Sequence, residues 1–182
     1  MKEQQVNMKP QDILLLLKLI CLDDSTWHQK PVAEALGMSQ SEVSEAVARM
    51  KYAGLLDTKG KKVMRLAFME FLQYGVRYAF PQRPGAMVRG VPTSHSAAPL
   101  QNQIQSSEPY VWKFGKGTVR GQSIVPLYPS AVEAALKDVA LHELLALVDA
   151  LRVGRVRERE LALKYLQERI LNQPNDKNEE VN

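Results

Sequence analysis

One stretch of the sequence, KPVAEALGMSQSEVSEAVARMKYAG at residues 30–54, limits the possible folds of this chain more than any other. Gly37 interrupts a short helical pattern, and glycine tolerates the left-handed backbone that ends many helices. Ser39 and Glu42 then have the S-x-x-E spacing of a capping box, which predicts the start of a second helix. This second helix has one apolar face, formed at helical intervals by Val43, Ala46, Val47 and Met50.

Two short helices joined by a turn of three or four residues form the arrangement that many proteins use to read DNA. The second helix, predicted over residues 39–53, is the element expected to enter the major groove. An ordinary helical hairpin in a soluble domain is the alternative interpretation of the same pattern. The polar side chains that we expect to face base edges are Gln40, Ser41, Ser44, Glu45 and Arg49.

A basic hairpin follows this helical pair. Leu55–Asp57 and the pair Val63 and Met64 are short strand candidates on either side of a turn that contains glycine. Six basic residues and one acid lie between residues 49 and 65, and such a wing, over residues 57–65, can lie along the DNA backbone. A solvated lysine-rich turn is the alternative. The side chains expected to contact phosphates are Lys59, Lys61, Lys62 and Arg65.

The run from about residue 11 to residue 65 resembles the winged helix-turn-helix of bacterial transcription regulators, especially the MarR type. The resemblance is carried by VAEALGMSQSEVSEAVARMKYAGLL, with its A-x-x-L-G-x-S turn, its S-x-x-x-V-S helix and the G-L-L that leads into the wing. The wing lacks the acidic-x-arginine motif of that type. The resemblance implies a transcriptional regulator that binds double-stranded DNA sequence-specifically.

The middle of the chain has a different composition. Residues 81–130 contain seven of the ten prolines, five of the ten glycines, five basic residues and one acid. We expect an extended or looped segment with a β-hairpin, formed by Tyr110–Phe114 and Thr118–Val125 around a glycine turn. The tripeptide Val-Arg-Gly occurs twice, which chance explains. Three arginines, which either contact an anion or a partner or only solvate a loop, are Arg83, Arg89 and Arg120.

The patterns together predict a mainly α fold with small β elements, in the α+β class. The expected parts are a winged helix-turn-helix domain at residues 1–80, the segment at residues 81–130, a helical region at residues 131–171 and a disordered tail at residues 172–182. We expect the helical region to contain three helices, with a break around Asp138 and a second at Gly154. The helices expected to form a homodimer interface are Gln11–Leu22 and those within Ala131–Leu171. The apolar pattern of Gln11–Leu22 equally allows a helix that is buried on most sides.

Several classes of function find no support in the sequence. A single cysteine rules out an internal disulfide, and no apolar run approaches the roughly 20 residues that span a bilayer, so we expect a cytoplasmic protein. The run Ser94–Ser96 lacks the glycine-rich elbow of a nucleophilic serine, and no histidine has metal-ligand spacing. We therefore expect no enzyme activity, no metal and no cofactor.

The leading functional interpretation is a homodimeric regulator that binds double-stranded DNA. The alternative is a protein-interaction module or antitoxin-like adaptor, in which a winged helix without DNA binding meets a protein partner through residues 81–130. Glu45, an acid on the proposed reading face, favours this alternative.

Overall fold

The computed structural model describes residues 5–106 and 108–172, which form a mixed α+β protein, so the predicted fold class is confirmed at that level. The helices are α1 (Pro10–Leu22), α2 (Gln29–Leu36), α3 (Gln40–Tyr52), α4 (Arg65–Tyr74), α5 (Val76–Ala79), α6 (Ala131–Leu136), α7 (Val139–Val153) and α8 (Val156–Leu171). The strands are β1 (Met87–Pro92), β2 (Tyr110–Lys113) and β3 (Val119–Ser123), and short 3-10 helices cover Ser94–Ser96 and Leu100–Asn102.

Helix α1 forms the centre of the protein. Its residues 13–17, five consecutive apolar side chains, are completely buried, because α3 and α7 both pack against it. The prediction that this helix forms a dimer surface is therefore wrong: its apolar side chains are used inside one protomer. A leucine-rich helix with no polar face can be buried by its own chain or by a second subunit, and here its own chain buries it.

The C-terminal helices pack onto the N-terminal ones. Helix α7 contacts α1, α5 and α8, and α8 contacts α4. Buried apolar residues from all three regions of the sequence belong to one continuous core. The bounds of α6, α7 and α8 agree with the three predicted helices, including the end of α7 at Gly154. The predicted tail at residues 172–182 lies outside the described residues apart from Asn172.

The three strands close into a small barrel, and this corrects the predicted hairpin. The strands β2 and β3 are present, but they pair with each other in parallel, and both pair antiparallel with β1. The sequence predicts an extended or looped segment at the position of β1. The glycine turn after β2 suggested that the next strand would fold back beside it. Both strands pair instead with β1, which ends 18 residues before β2 begins and 27 residues before β3 begins.

Glycine makes this barrel possible at one particular position. A Cβ atom on Gly90 would lie 1.9 Å from the Trp112 carbonyl oxygen, and the backbone of Gly117 lies directly against Gly90 as the chain crosses from β2 to β3. The two Val-Arg-Gly tripeptides are paired here: Val88–Gly90 and Val119–Gly121 face each other in antiparallel register. The two copies of the tripeptide therefore lie on paired strands.

A buried carboxylate attaches the barrel to α7. Asp149 is 2% exposed, and its oxygens accept hydrogen bonds from Thr93 Oγ1 (2.6 Å), Trp112 Nε1 (2.7 Å) and Arg152 Nη1 (2.9 Å). Burial raises the pKa of Asp149, and the Arg152 guanidinium and the two other donors oppose that rise. Arg152 also donates to the Phe80 carbonyl oxygen, so one ion pair joins the barrel, α5 and α7.

Candidate nucleic-acid interface

The turn between α2 and α3 has the geometry that the sequence predicts. Gly37 has φ 63°, and its N–H donates to the last turn of α2. Ser39 Oγ accepts from Glu42 N at 3.1 Å, and Ser39 N donates to Glu42 Oε2 at 3.0 Å, which completes the predicted capping box. The apolar face of α3 is buried at Val43, Ala46 and Met50 and partly buried at Val47.

The segment that follows the barrel holds this turn in place. Ser130 Oγ donates to the Leu36 carbonyl oxygen at 2.5 Å, which satisfies an unpaired acceptor at the end of α2. Tyr128 Oη donates to Glu42 Oε1 at 2.6 Å, beside the first turn of α3. The Tyr128 hydroxyl and then the Ser39 N–H lower the pKa of the Glu42 carboxyl. The turn between α2 and α3 is therefore fixed from both sides by one distant segment of the chain, residues 128–130.

Four of the five predicted base-contacting residues lie on the exposed face of α3, and Arg49 is different. Its Nε and Nη2 atoms bind both carboxylate oxygens of Asp12, and the closest distance is 2.7 Å. The Arg49 side chain is only 13% exposed, and Asp12 is fully buried. Arg49 thus joins α3 to α1, and we correct its assignment from a base contact to a structural ion pair. The side chains that remain exposed are Gln40, Ser41, Ser44 and Glu45.

A tight loop at residues 57–62 occupies the predicted position of the wing. The flanking strands are reduced to one antiparallel bridge between Leu56 and Val63. Inside the loop, Asp57 Oδ1 accepts from the backbone N–H groups of Lys61 (2.6 Å) and Lys62 (2.9 Å). Burial would raise the pKa of Asp57, but these two donors outweigh it, so the pKa lies below its ordinary value. The single acid of the loop therefore shapes its backbone.

The predicted phosphate contacts divide into free and occupied side chains. Lys59 and Lys62 are exposed. Lys61 donates from Nζ to the Trp27 carbonyl oxygen at 2.5 Å and lies over the Trp27 ring, while Trp27 Nε1 donates back to the Lys61 carbonyl oxygen. Arg65 binds the Ile170 carbonyl oxygen and Asp23. Lys61 and Arg65 are thus engaged within the protein, and we correct them to structural contacts.

One further lysine belongs to this surface. Lys51, in the last turn of α3, is exposed, and its side-chain carbons lie against Gly60 in the loop. The sequence gives no role to Lys51, because helix periodicity alone does not show which loop residue it approaches. We define the lysine face as Lys51, Lys59 and Lys62.

The structure brings together two of the three arginines from the middle segment. Arg89 and Arg120 are direct cross-strand partners in the barrel, and both are exposed. Arg83 is also exposed and precedes β1 in the chain. Arg89 and Arg120 are 31 residues apart, and the sequence does not predict their pairing because it does not predict β1 as a strand.

An exposed apolar stripe runs along α4 and α5. Leu66 is 77% exposed, Tyr74 is 67% exposed and Tyr78 is 76% exposed. Leu66 and Tyr74 lie about two turns apart on α4, and Tyr78 lies on α5, which follows after Gly75. Glu70 lies between the first two, and the Arg77 guanidinium lies 5.5 Å from the centre of the Tyr78 ring.

A groove of about 700 Å³ lies between α1, α5, α6 and the barrel. Most of its lining is apolar, and Lys113 and Arg152 contribute the charged atoms. Its proline residues are Pro10, Pro81, Pro126 and Pro129.

Among the described residues, no three His, Cys, Asp or Glu side chains cluster closely enough to hold a metal ion. The helices in that same part of the chain are all too short or too polar to cross a membrane. Comparison with family models, with curated proteins and with solved structures finds no match for this chain.

Proposed function

We propose that this protein is a winged helix-turn-helix regulator of the MarR-like kind that binds double-stranded DNA. In this proposal α3 enters the major groove, and the loop at residues 57–62 is a short wing. The base-contacting set is smaller than the sequence suggested, because Arg49 is occupied by Asp12. It consists of Gln40, Ser41, Ser44 and Glu45.

The observation that carries the proposal is the position of the lysine face beside α3. Its three ammonium groups are exposed, and the described residues include no acid within ion-pair distance of them. Unpaired lysines can displace counterions from phosphates without first breaking an internal ion pair. The small residues at the start of α3, Ser41 and Ser44, allow the helix to approach base edges closely.

Selection from a pool of random duplexes tests sequence reading. The wild-type protein is expected to enrich a defined sequence. Replacing Ser44 by Leu, a bulky side chain on the reading face, should weaken binding to that sequence by about 1–3 kcal/mol and leave binding to scrambled duplex nearly unchanged. Lys137→Gln, at an exposed position beyond α6, is the control. Equal operator-to-scrambled ratios for wild type and Ser44→Leu would remove α3 as the reading helix.

The proposed regulator acts as a homodimer, since one helix-turn-helix reads only a few base pairs. With α1 buried, the apolar stripe of Leu66, Tyr74 and Tyr78 is the surface that best suits a second copy. Glu70 and Arg77 give this stripe opposite charges that can meet across a two-fold axis. Sedimentation should show a dimer for wild type and a monomer for the Leu66→Glu, Tyr78→Glu double variant. A wild-type monomer at concentrations of about 100 µM would contradict the dimer.

The second candidate is the protein-interaction module, which the proline-lined groove favours. The groove combines apolar walls with one exposed cationic side chain, Lys113, as a site for an acidic, partly apolar peptide would, while Arg152 is already paired with Asp149. Retention of the protein on random duplex DNA distinguishes the regulator from the protein-interaction module. Retention on random duplex DNA that falls steeply with salt favours the regulator, and the absence of retention at low salt favours the module.

A further inference from the structure

Two like charges face each other on the barrel surface. Arg89 and Arg120 are direct partners in the antiparallel pairing of β1 with β3, and both are exposed. Side chains at such positions have Cβ atoms roughly 4.5–5.5 Å apart. Within the described chain, neither guanidinium has an acid at ion-pair distance. Like charges at opposed positions destabilise a strand pair, so this arrangement does not help the barrel to fold.

The rest of the barrel segment, residues 81–130, is also basic. Lys113, the cross-strand partner of Gly90, is exposed, and so is Lys116 in the crossing from β2 to β3. Glu108 is the single acid between residues 81 and 130. The barrel surface therefore presents an excess of positive charge, and an anionic ligand would relieve its repulsion.

The backbone that carries the two arginines is held tightly. Gly90, next to Arg89, lies in van der Waals contact with the Trp112 backbone, and the Trp112 indole is fixed by Asp149. The backbone positions of Arg89 and Arg120 on adjacent strands are therefore fixed. A guanidinium offers two parallel N–H donors, which match the oxygens of a phosphate group.

The aromatic side chains of β2 point to a backbone contact rather than to base stacking. Trp112 is 1% exposed, and its indole donates to Asp149. Tyr110 packs against His95 with ring centres 4.4 Å apart. Surfaces that bind single strands by stacking present exposed aromatic faces, and these two rings are occupied inside the protein.

We propose that the Arg89–Arg120 pair binds the phosphodiester backbone of duplex DNA, as a second phosphate contact in addition to the lysine face. This inference rests on the proposed function, and it adds the barrel to the DNA-binding surface. The contact is independent of sequence, because phosphates carry no base information.

The test is the salt dependence of binding to a random duplex of about 30 base pairs, measured by fluorescence anisotropy between about 50 and 200 mM salt. The test variant is Arg89→Gln with Arg120→Gln. The matched control, Lys137→Gln with Lys164→Gln, removes the same charge from exposed positions after α6 and on α8. The magnitude of the slope of log K against log salt should decrease by about 1.8 in the test variant, which is about 0.9 for each lost contact. It should stay unchanged in the control.

A thermal melt distinguishes a binding role from a structural one. Removing two opposed like charges should leave the Tm unchanged or raise it, whereas a structural role predicts a lower Tm. If the Tm does fall, Arg89→Lys with Arg120→Lys keeps both charges, and a wild-type slope in that variant supports the proposal. A reduced slope in the lysine variant contradicts it.

The outcomes separate this inference from the function on which it rests. If wild type binds duplex and Lys59→Gln with Lys62→Gln reduces the slope, but the arginine variant matches wild type, the barrel contact is wrong and the proposed function stands. If wild type shows no salt-dependent binding to duplex DNA, the proposed function is wrong and this inference falls with it.

Discussion

The α2–α3 pair and the barrel are each joined to the helical core by a buried aspartate with an arginine partner, yet their origins in the sequence differ. Asp12 binds Arg49 and joins α3 to α1, and Asp149 binds Arg152 and joins the barrel to α7. The helical pair is specified by residues within a few positions of one another. The barrel depends on pairing between strands that are distant in the chain. The comparison shows that similar anchors can stabilise a locally encoded element and a non-locally encoded one.

The two buried carboxylates should differ in how much the free energy of unfolding depends on them. Asp149→Ala leaves Arg152 buried without its partner and removes the acceptor of Thr93 and Trp112, so we expect a loss of about 3–5 kcal/mol. Asp12→Ala should cost less, because the partly exposed Arg49 can turn toward water. Denaturant unfolding of both variants measures the difference. Equal losses would mean that the barrel is no more dependent on its anchor than α3 is.

A close backbone contact in the barrel gives the next largest effect. In Gly90→Ala the new Cβ would meet the Trp112 carbonyl oxygen, so the strands must separate, with an expected loss of about 3 kcal/mol. Gly115→Ala, in the crossing from β2 to β3, has no atom within 4 Å of its new Cβ and serves as the control. Thermal unfolding that gives the same Tm for both variants would show that the barrel backbone adjusts freely.

The difference between local contacts in the α2–α3 pair and distant pairings in the barrel explains how much the sequence could predict. The Ser39 capping box, the end of α2 at Gly37 and the three C-terminal helices depend on neighbouring residues, and all were predicted. The strand β1 and its pairing were not predicted. The glycine turn after β2 is a local signal for a hairpin of β2 with β3, whereas both strands pair antiparallel with β1. The roles of Arg49 and Lys61 were missed for a related reason: their partners, Asp12 and Trp27, lie 37 and 34 residues away.

The capping box should have a moderate effect that is limited to the helical pair. Ser39→Ala removes the acceptor of the Glu42 N–H, and we expect a loss of about 1 kcal/mol in the free energy of unfolding. Hydrogen exchange should speed up in the first turn of α3 and remain unchanged in the barrel strands. Faster exchange in both places would indicate that the two regions open together.

The smallest expected effect concerns the contact between the two regions. Tyr128→Phe removes the hydroxyl donor to Glu42 and should cost about 0.5–1.5 kcal/mol at neutral pH. Because this contact lowers the pKa of Glu42, its contribution is present above the ordinary glutamate pKa of about 4.3 and is lost as the pH falls through the lowered value. The difference between wild type and variant should therefore shrink in acid. Glu42→Gln is the matched control, and a difference that persists unchanged at low pH would contradict the assignment.

The most direct test of the central claim, that the lysine face beside α3 grips DNA, is an anisotropy titration of random duplex against wild type and Lys59→Gln with Lys62→Gln. For wild type, log K should fall steeply as log salt rises. The double variant should show a slope smaller in magnitude by about 1.8, and the control, Lys137→Gln with Lys164→Gln, should match wild type. Equal slopes for all three proteins, or no binding by wild type at about 50 mM salt, would contradict the account.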